Sequence, residues 1–339
     1  MNRHYNIPIF IPHVGCPFTC IFCNQKRIAA VTSPPNIEEI KLIIEQHLKT
    51  IAKNSTVEVA FFGGSFTAIE KAWQINYLQA VKPYLDSGEV GSIRVSTRPD
   101  FIDENILNLL KEYGVKTIEL GVQSLDDGVL QKSGRGYLVA DVVRAAQLIK
   151  NHHFTLGIQL MLGLPGDDFD LAIKSAETAI ALKPDIVRIY PTLVIQDTYL
   201  ADLYAKGLYE PLTLDEAVTI SKEIYLQFIG EGIKVIRMGL HPSEELQTGE
   251  AIVAGPFHPA FGELVEQEVF YDRAKELLDQ LRGEFSRILI YVNPRDISKM
   301  IGNRRRNIIK LEQKYNLHEI IIKGTKGIAR GEVKVEVKC

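Results

Sequence analysis

Six short apolar runs, each separated from the next by an amphipathic stretch, constrain this chain more than any other feature. The runs are 5–11 (YNIPIFI), 56–62 (TVEVAFF), 92–97 (SIRVST), 115–121 (VKTIELG), 154–161 (FTLGIQLM) and 185–191 (DIVRIYP). Helical patterns lie between them, near 36–52, 69–85, 103–113, 138–151 and 168–182. A parallel neighbour is reached only by a crossover long enough to hold a helix, so this alternation implies βαβ units around a parallel sheet. Asn36 followed by Glu38 and Glu39, and Asp103 followed by Glu104, read as helix starts. There a side-chain oxygen meets free backbone N–H groups, and acidic residues meet the positive end of the helix dipole. The expected fold class is α/β, a full or partial (β/α) barrel; a doubly wound open sheet is the alternative.

The chemically distinctive residues share one position in that pattern. A cysteine-bearing loop follows the first run, and Gly63-Gly64-Ser65-Phe66 follows the second. Ser96-Thr97-Arg98-Pro99-Asp100 follows the third, Gly121-Val122-Gln123-Ser124 ends the fourth, Gly163-Leu164-Pro165-Gly166 follows the fifth and Tyr190-Pro191 ends the sixth. In parallel barrels the active site forms at the C-terminal ends of the strands. Each segment alone is explained by a turn. Their shared position points to one site.

The cysteines read Gly15-Cys16-Pro17-Phe18-Thr19-Cys20-Ile21-Phe22-Cys23-Asn24, a C-x3-C-x2-C spacing, and three of the four cysteines in the chain lie within eight residues. Such clustering favours metal over disulfide. Three thiolates can hold three corners of a cubane cluster and leave the fourth iron open for a ligand. A structural zinc site is the alternative, and it needs a fourth ligand, for which His13 and Cys339 are the candidates.

With Phe22 in the aromatic slot, C-x3-C-x-(aromatic)-C resembles the radical S-adenosylmethionine superfamily, and further motifs recur in order. Gly63-Gly64-Ser65-Phe66 resembles the motif that meets the methionyl amino group of the cofactor. STRPDFIDENILNLLKEYGVKTIELGVQS, followed by Gly134-Arg135-Gly136, resembles the branch holding the Elongator catalytic subunit and anaerobic coproporphyrinogen oxidase. The resemblance covers roughly residues 5–200. It implies a partial (β/α) barrel of radical S-adenosylmethionine type, a 4Fe–4S cluster on Cys16, Cys20 and Cys23, and reductive cleavage of S-adenosylmethionine. It also implies cofactor contacts at Gly63, Gly64, Ser65, Ser96, Gln123, Arg135 and Gln159, with Arg135 suited to the cofactor carboxylate. Arg98 and Asp100 read as a structural pair, and Leu164-Pro165-Gly166 as a turn or a backbone wrap for the adenine. Two departures limit what carries over. Asn24 stands where anaerobic coproporphyrinogen oxidase has a cysteine, which argues against porphyrin chemistry. Fewer than 80 residues follow position 262 and none suggests an acetyltransferase, so acetyl-CoA chemistry is not expected.

Residues 284–339 form a different pattern. A strand (RILIYVNP) leads to a short helix capped by Asp296, then Gly302-Asn303-Arg304-Arg305, a second helix (RNIIKLEQKYN) and two strands (HEIIIKG, GEVKVEV). This order resembles a KH RNA-binding domain, whose GXXG loop clamps a nucleic-acid backbone. Arg305 takes the final glycine position, and Gly302, Arg304, Arg305 and Arg306 are the expected RNA contacts. Charge follows the same division: residues 270–339 carry a net +7 and the remainder −10. The expected domains are therefore a barrel over 1–235, a loop and connecting helix over 236–283, and a small α+β KH-like module over 284–339. His241, His258 and Glu263, in the Gly/Pro/His-rich stretch 237–263, are candidates to face substrate.

No apolar run reaches the ~18–20 residues that span a bilayer, and the N-terminus shows no signal peptide. A cytoplasmic, non-membrane enzyme is expected. Its expected partners are RNA, tRNA foremost, and reduced flavodoxin or ferredoxin as electron donor. Two other readings stay open. One is a radical enzyme or maturation factor acting on a small molecule or protein, with a structural C-terminal module; the other is a cluster-bearing sensor.

Overall fold

The computed structural model describes residues 4–12, 16, 20–29, 33–52, 54–241, 244–282 and 285–338, with Lys26, Ala29 and Glu244 described by backbone alone. His13, Gly15 and Cys339 lie outside the described residues. The chain divides into two compact units, Met1–Thr213 with Ile224–Pro259, and Leu214–Glu223 with Ala260–Cys339. The helix Phe261–Asp279, read from sequence as a connector, belongs to the second unit.

The first unit carries β1 (His4–Ile11), β2 (Thr56–Gly63), β3 (Ser92–Thr97), β4 (Val115–Gln123), β5 (Thr155–Leu162), β6 (Ile186–Pro191), β7 (Val194–Ile195), β8 (Lys234–Met238) and β9 (Ile252–Ala254). Seven of them form one parallel sheet in the order β1-β2-β3-β4-β5-β6-β8, and β7 pairs antiparallel with β9. The order never reverses. A doubly wound sheet needs a reversal at its switch point. Successive crossovers of one hand in one direction put the helices on one face and leave the other free to curl into a lumen. The result is a half-barrel. β8 is absent from the sequence expectation, because KVIRM is short and half-exposed, with Lys and Arg interrupting its apolar pattern.

Alternate residues of the strands face opposite sides. One set (Ile7, Val59, Phe61, Ile93, Val95, Ile118, Leu120, Ile158, Leu160, Val187 and Ile189) is at most 1% exposed and packs as the core. Burying each such side chain contributes about 1.5–3 kcal/mol. The other set is polar: Glu58, Arg94, Thr117 and Glu119 are buried charges and hydroxyls on the lumen side. Arg94 bonds Glu58 at 2.7 Å and also pairs with Glu119; Arg188 pairs with Glu119 at 2.6 Å. Side-chain caps fix the helix starts that follow the strands. Asn36 forms a reciprocal capping box with Glu39 (3.0 and 2.8 Å). Asp103, Asp126 and Asp168 each accept from the backbone N–H three residues on, at 2.8, 3.0 and 2.9 Å.

The second unit is a three-stranded sheet in the order β11-β10-β12, with β10 (Arg287–Val292), β11 (Glu319–Gly324) and β12 (Val333–Val337). β10 runs parallel to β11 and antiparallel to β12. Helices Ile297–Ile301 and Arg306–Tyr315 make the parallel crossover, and Phe270, Ala274, Ile288, Ile290, Met300, Ile308 and Leu311 fill the core. Asp296 departs from expectation. Its side chain does not cap the short helix; it is buried and accepts from the Gly331 N–H (2.9 Å) and from Arg330 (2.7 Å), tying down the turn before β12.

Replacing Arg94 by Met leaves two buried carboxylates facing each other. We expect urea denaturation to show a loss of about 3–5 kcal/mol, the usual cost of removing one partner from a buried ion pair, with part of it recovered in Arg94→Lys.

Candidate active site

The cysteine segment lies beyond β1, where the backbones of β1 and β2 meet directly. Gly64 N–H donates to Ile11 O at 2.7 Å. Gly63 has a φ of 106°, and a Cβ there would come within 2.8 Å of the same carbonyl, so only glycine fits. Gln25 Nε2 donates to Gly63 O (2.6 Å), and Asn24 is pinned by bonds to Gln196 O (3.1 Å) and from Arg27 N (3.3 Å). Ser65 Oγ lies 2.9 Å from Thr97 Oγ1 and accepts from the Arg98 N–H at 3.2 Å, joining the ends of β2 and β3.

Cys16, Cys20 and Cys23 are free thiols that border one cavity of about 700 Å3. Burial, and after it the neighbouring Cys20, pushes the Cys16 thiol up and the Cys23 thiol up to about 12. Two thiols held up in this way become thiolates together only beside a cation, which is the donor chemistry of a metal or cluster ligand set. Among the described residues, no three His, Cys, Asp or Glu side chains form the tight group that surrounds a single ion. Arg135 is buried against the same thiols. Its Nη1 donates to Cys20 Sγ (3.0 Å), Nη2 to Gly121 O (2.6 Å) and Nε to Tyr137 Oη (2.9 Å). Arg98 bonds Asp100 as a pair (2.9 and 3.0 Å), as the sequence suggests, and also reaches Arg135 O at 2.5 Å.

Gly63, Gly64, Ser65, Ser96, Gln123, Arg135 and Gln159 all line this cavity with the cysteines. Gln123 sits at a register shift between β4 and β5 with a φ of 70°, and its Oε1 accepts from Gln159 Nε2 at 3.2 Å. A strained non-glycine residue at a bulge is a way of re-aiming a side chain. Of the three candidates in 237–263, His241 lines the cavity, His258 is not among its lining residues, and Glu263 lies in the first turn of a helix of the second unit. The Gly163–Gly166 turn is also not among the lining residues; Leu164 packs in a cluster with Cys20 and Phe22.

Residues 10–179, half of the chain, match the Radical SAM superfamily, and residues 184–270 match the Radical_SAM C-terminal domain. The chain belongs to the radical S-adenosylmethionine superfamily. A tRNA uridine(34) acetyltransferase of Methanocaldococcus jannaschii is 29% identical over 202 residues, 54% of this chain and 37% of that one. Elongator complex protein 3 of Homo sapiens is 26% identical over 189 residues, covering 50% and 34%. The heme chaperone HemW of Bacillus subtilis is 27% identical over 200 residues, covering 57% and 52%. This chain thus spans about a third to a half of the length of these relatives. Among solved structures, Methanocaldococcus infernus Elp3 lacking residues 1–46 superposes with a TM-score of 0.64 at 22% identity, over 79% of this chain and 63% of that one. The cofactors of this radical S-adenosylmethionine enzyme are a 4Fe–4S cluster and S-adenosylmethionine.

Sequence reasoning passed over Gln25, Glu119, Arg188 and Arg237, which also line the cavity; Tyr190 and Pro191, noted at the end of the sixth run, line it too. For Glu119 and Arg188 the signal was present. Glu119 precedes Gly121 by two, and Arg188 precedes Tyr190 by two, so both share the parity of the strand-end residues. Arg237 lies on β8, which the pattern did not reveal.

Asp167 follows the Gly163–Gly166 turn. Its Oδ2 accepts from Gly163 N (2.9 Å), while Oδ1 is buried with no hydrogen-bond partner among the described residues. Burial raises this carboxyl to about 6. The folded chain therefore holds the proton more tightly than the unfolded chain, and the stability tied to it is lost as pH rises through about 6. We expect Asp167→Asn to melt higher than the wild type at pH 8. The difference should narrow as the pH is lowered to 4 in a series of thermal melts.

Proposed function

We propose that this chain modifies RNA, tRNA foremost, with Cys16, Cys20 and Cys23 holding the 4Fe–4S cluster. When bound, the cluster and S-adenosylmethionine would supply the radical chemistry for hydrogen abstraction from the substrate. The chain's own residues bind and shield. The Gly63-Gly64 backbone, Ser65, Ser96, Gln123 and Gln159 offer polar contacts to the cofactor. Arg135 steadies Cys20 and keeps donors near the cofactor carboxylate. Apolar lining residues such as Phe10, Phe62 and Met161 keep water from the reacting atoms. Reduced flavodoxin or ferredoxin is the proposed electron donor, and the cytoplasm the proposed site of action; among the described residues no helix is long and apolar enough to cross a membrane.

The observation that carries the RNA reading is the loop at 302–305. Gly302, Arg304 and Arg305 have φ of 78°, 50° and 62°, and the two arginines stand exposed without a carboxylate partner among the described residues. Adjacent left-handed arginines are costly, and both side chains stand at the surface, where guanidinium groups can meet phosphates. Arg306 differs: it is held by Asp215 at 3.0 Å and Glu268 at 4.0 Å. Relatives that act on tRNA uridine(34) support the same substrate class; their acetyl transfer is not part of this proposal. A protein or small-molecule substrate is the second reading, favoured by the likeness to the heme chaperone.

Two outcomes are expected. Anaerobic reconstitution should give about four iron and four sulfide per chain, and Ala at all three of Cys16, Cys20 and Cys23 should abolish uptake; stoichiometric zinc without iron would remove the cluster assignment. In fluorescence anisotropy with tRNA, R304E/R305E should weaken binding at least about tenfold at low salt. It should also flatten the slope of log affinity against log salt by about 1.5, since each neutralised phosphate contributes roughly 0.7–0.9. Arg306→Gln should change little. Wild-type affinity in the folded double variant at every salt concentration would favour the second reading.

A further inference from the structure

The charges inside the half-barrel form an ordered series. Glu58 on β2 bonds Arg94 on β3 at 2.7 Å, and Arg94 also pairs with Glu119 on β4. Glu119 takes both Nε and Nη2 of Arg188 on β6, at 2.6 and 3.2 Å. β5 stands between these last two and supplies Gly157, where a Cβ would come within 2.7 Å of Glu119 Cγ. The absent side chain is what lets Glu119 reach across. Through four members the signs alternate. The next member is Arg237 on β8, which stands opposite Arg188 in the strand register and repeats its sign.

Arg237 is oriented without being neutralised. Its Nε donates to Gly239 O and its Nη2 to Leu240 O, both at 3.1 Å. No carboxylate pairs with it among the described residues. Two backbone carbonyls fix the plane of the guanidinium and leave three N–H donors without a partner among the described residues. Glu119, Arg188 and Arg237 line the cavity, whereas Glu58 and Arg94 are not among its lining residues. The series therefore ends at the cavity on a held cation whose alternating neighbour would be an anion.

We infer that Arg237, beside Arg188, seats an oxyanion group, a carboxylate or a phosphate ester, of the substrate that enters this cavity. The inference rests on the reading of the cavity as the reaction site. A planar guanidinium fork suits either oxyanion through two parallel hydrogen bonds. S-adenosylmethionine carries a carboxylate of its own. Its proposed contacts lie on β1 to β5 and the loops after them, whereas β8 is the far edge of the sheet.

The test uses the full chain with its cluster reconstituted, and methyl phosphate and acetate as probes, read by saturation transfer to their methyl protons. S-adenosylmethionine affinity is measured by calorimetry in the same samples. The wild type should show transfer to at least one anion. Arg237→Gln should lose it, with at least a tenfold weaker dissociation constant, and Arg237→Lys should recover part. S-adenosylmethionine affinity should stay unchanged in both variants. Transfer to methyl phosphate assigns a phosphate ester; transfer to acetate assigns a carboxylic acid. The inference is overturned if neither anion binds the wild type. It is also overturned if Arg237→Gln, folded by circular dichroism and with full iron content, binds the anions as the wild type does. A tenfold loss of S-adenosylmethionine affinity would hand the seat to the cofactor and overturn it too. tRNA affinity in the same variants separates this failure from that of the RNA reading, which Arg304 and Arg305 test.

Discussion

Everything on the lumen side of the half-barrel depends on the Glu58–Arg94–Glu119–Arg188 network. Taking four charges out of water is expensive, and their mutual attraction offsets that cost only when each group is bonded in good geometry. Here each carboxylate receives a guanidinium in a charge-assisted bond, and Ser92 and Thr117 complete Glu58 at 3.1 and 3.0 Å. The network is balanced, two negative and two positive. Net stability comes from the apolar face, where the outward residues of the same strands pack under the helices. The ionic face does something else. A slip of one residue in β3 or β4 would carry Arg94 or Glu119 to the apolar side, so the network penalises the wrong register.

That constraint passes upward into the site. Residues two positions beyond Glu119, Arg188 and Gln159 are Gly121, Tyr190 and Met161, and all six line the cavity. The period of the strand, set in the lumen by charge pairing, places the polar groups at the rim. Arg135 then locks the rim to the cysteine segment by bonding Cys20 Sγ and Gly121 O with one guanidinium. The cysteine segment is in this way tied, through a loop arginine, to the backbone of the rigid strand β4.

The second unit follows a different logic. Its core is a small apolar cluster, and one short turn adopts φ > 0 at Gly302, Arg304 and Arg305. Such strain persists only where packing over-determines it. Asn307 is buried beneath the turn and donates to Gln267 O (2.8 Å) and Lys299 O (3.2 Å), and Gln267 Oε1 accepts from Asn303 N (2.8 Å). The exposed arginines therefore stand on a hydrogen-bonded base, whose partners are far apart along the chain.

The sequence by itself determined the strand–helix alternation, the C-terminal β-α-α-β-β order and the set of polar residues at strand ends, because each rests on local signals: period, caps and glycine. Spacing alone marked the cysteines as a candidate ligand set, and their neighbours on β2 to β5 could be gathered by position after each strand. Tertiary structure decided the rest. That the sheet curls instead of doubling back depends on which strands pair, and β8, the seventh, is too short and too charged to announce itself. The lumen network joins residues up to 69 positions apart, so no window of sequence contains a pair of partners. Arg135 reaches Cys20 across 115 residues, and only folding shows that its guanidinium faces a thiol. Arg306 reads like Arg304 and Arg305 in the sequence, yet Asp215, 91 residues away, takes its charge. Propensity and period act between neighbours along the chain, whereas charge pairing acts between neighbours in space, and the chemistry of this protein lies in the second kind of contact.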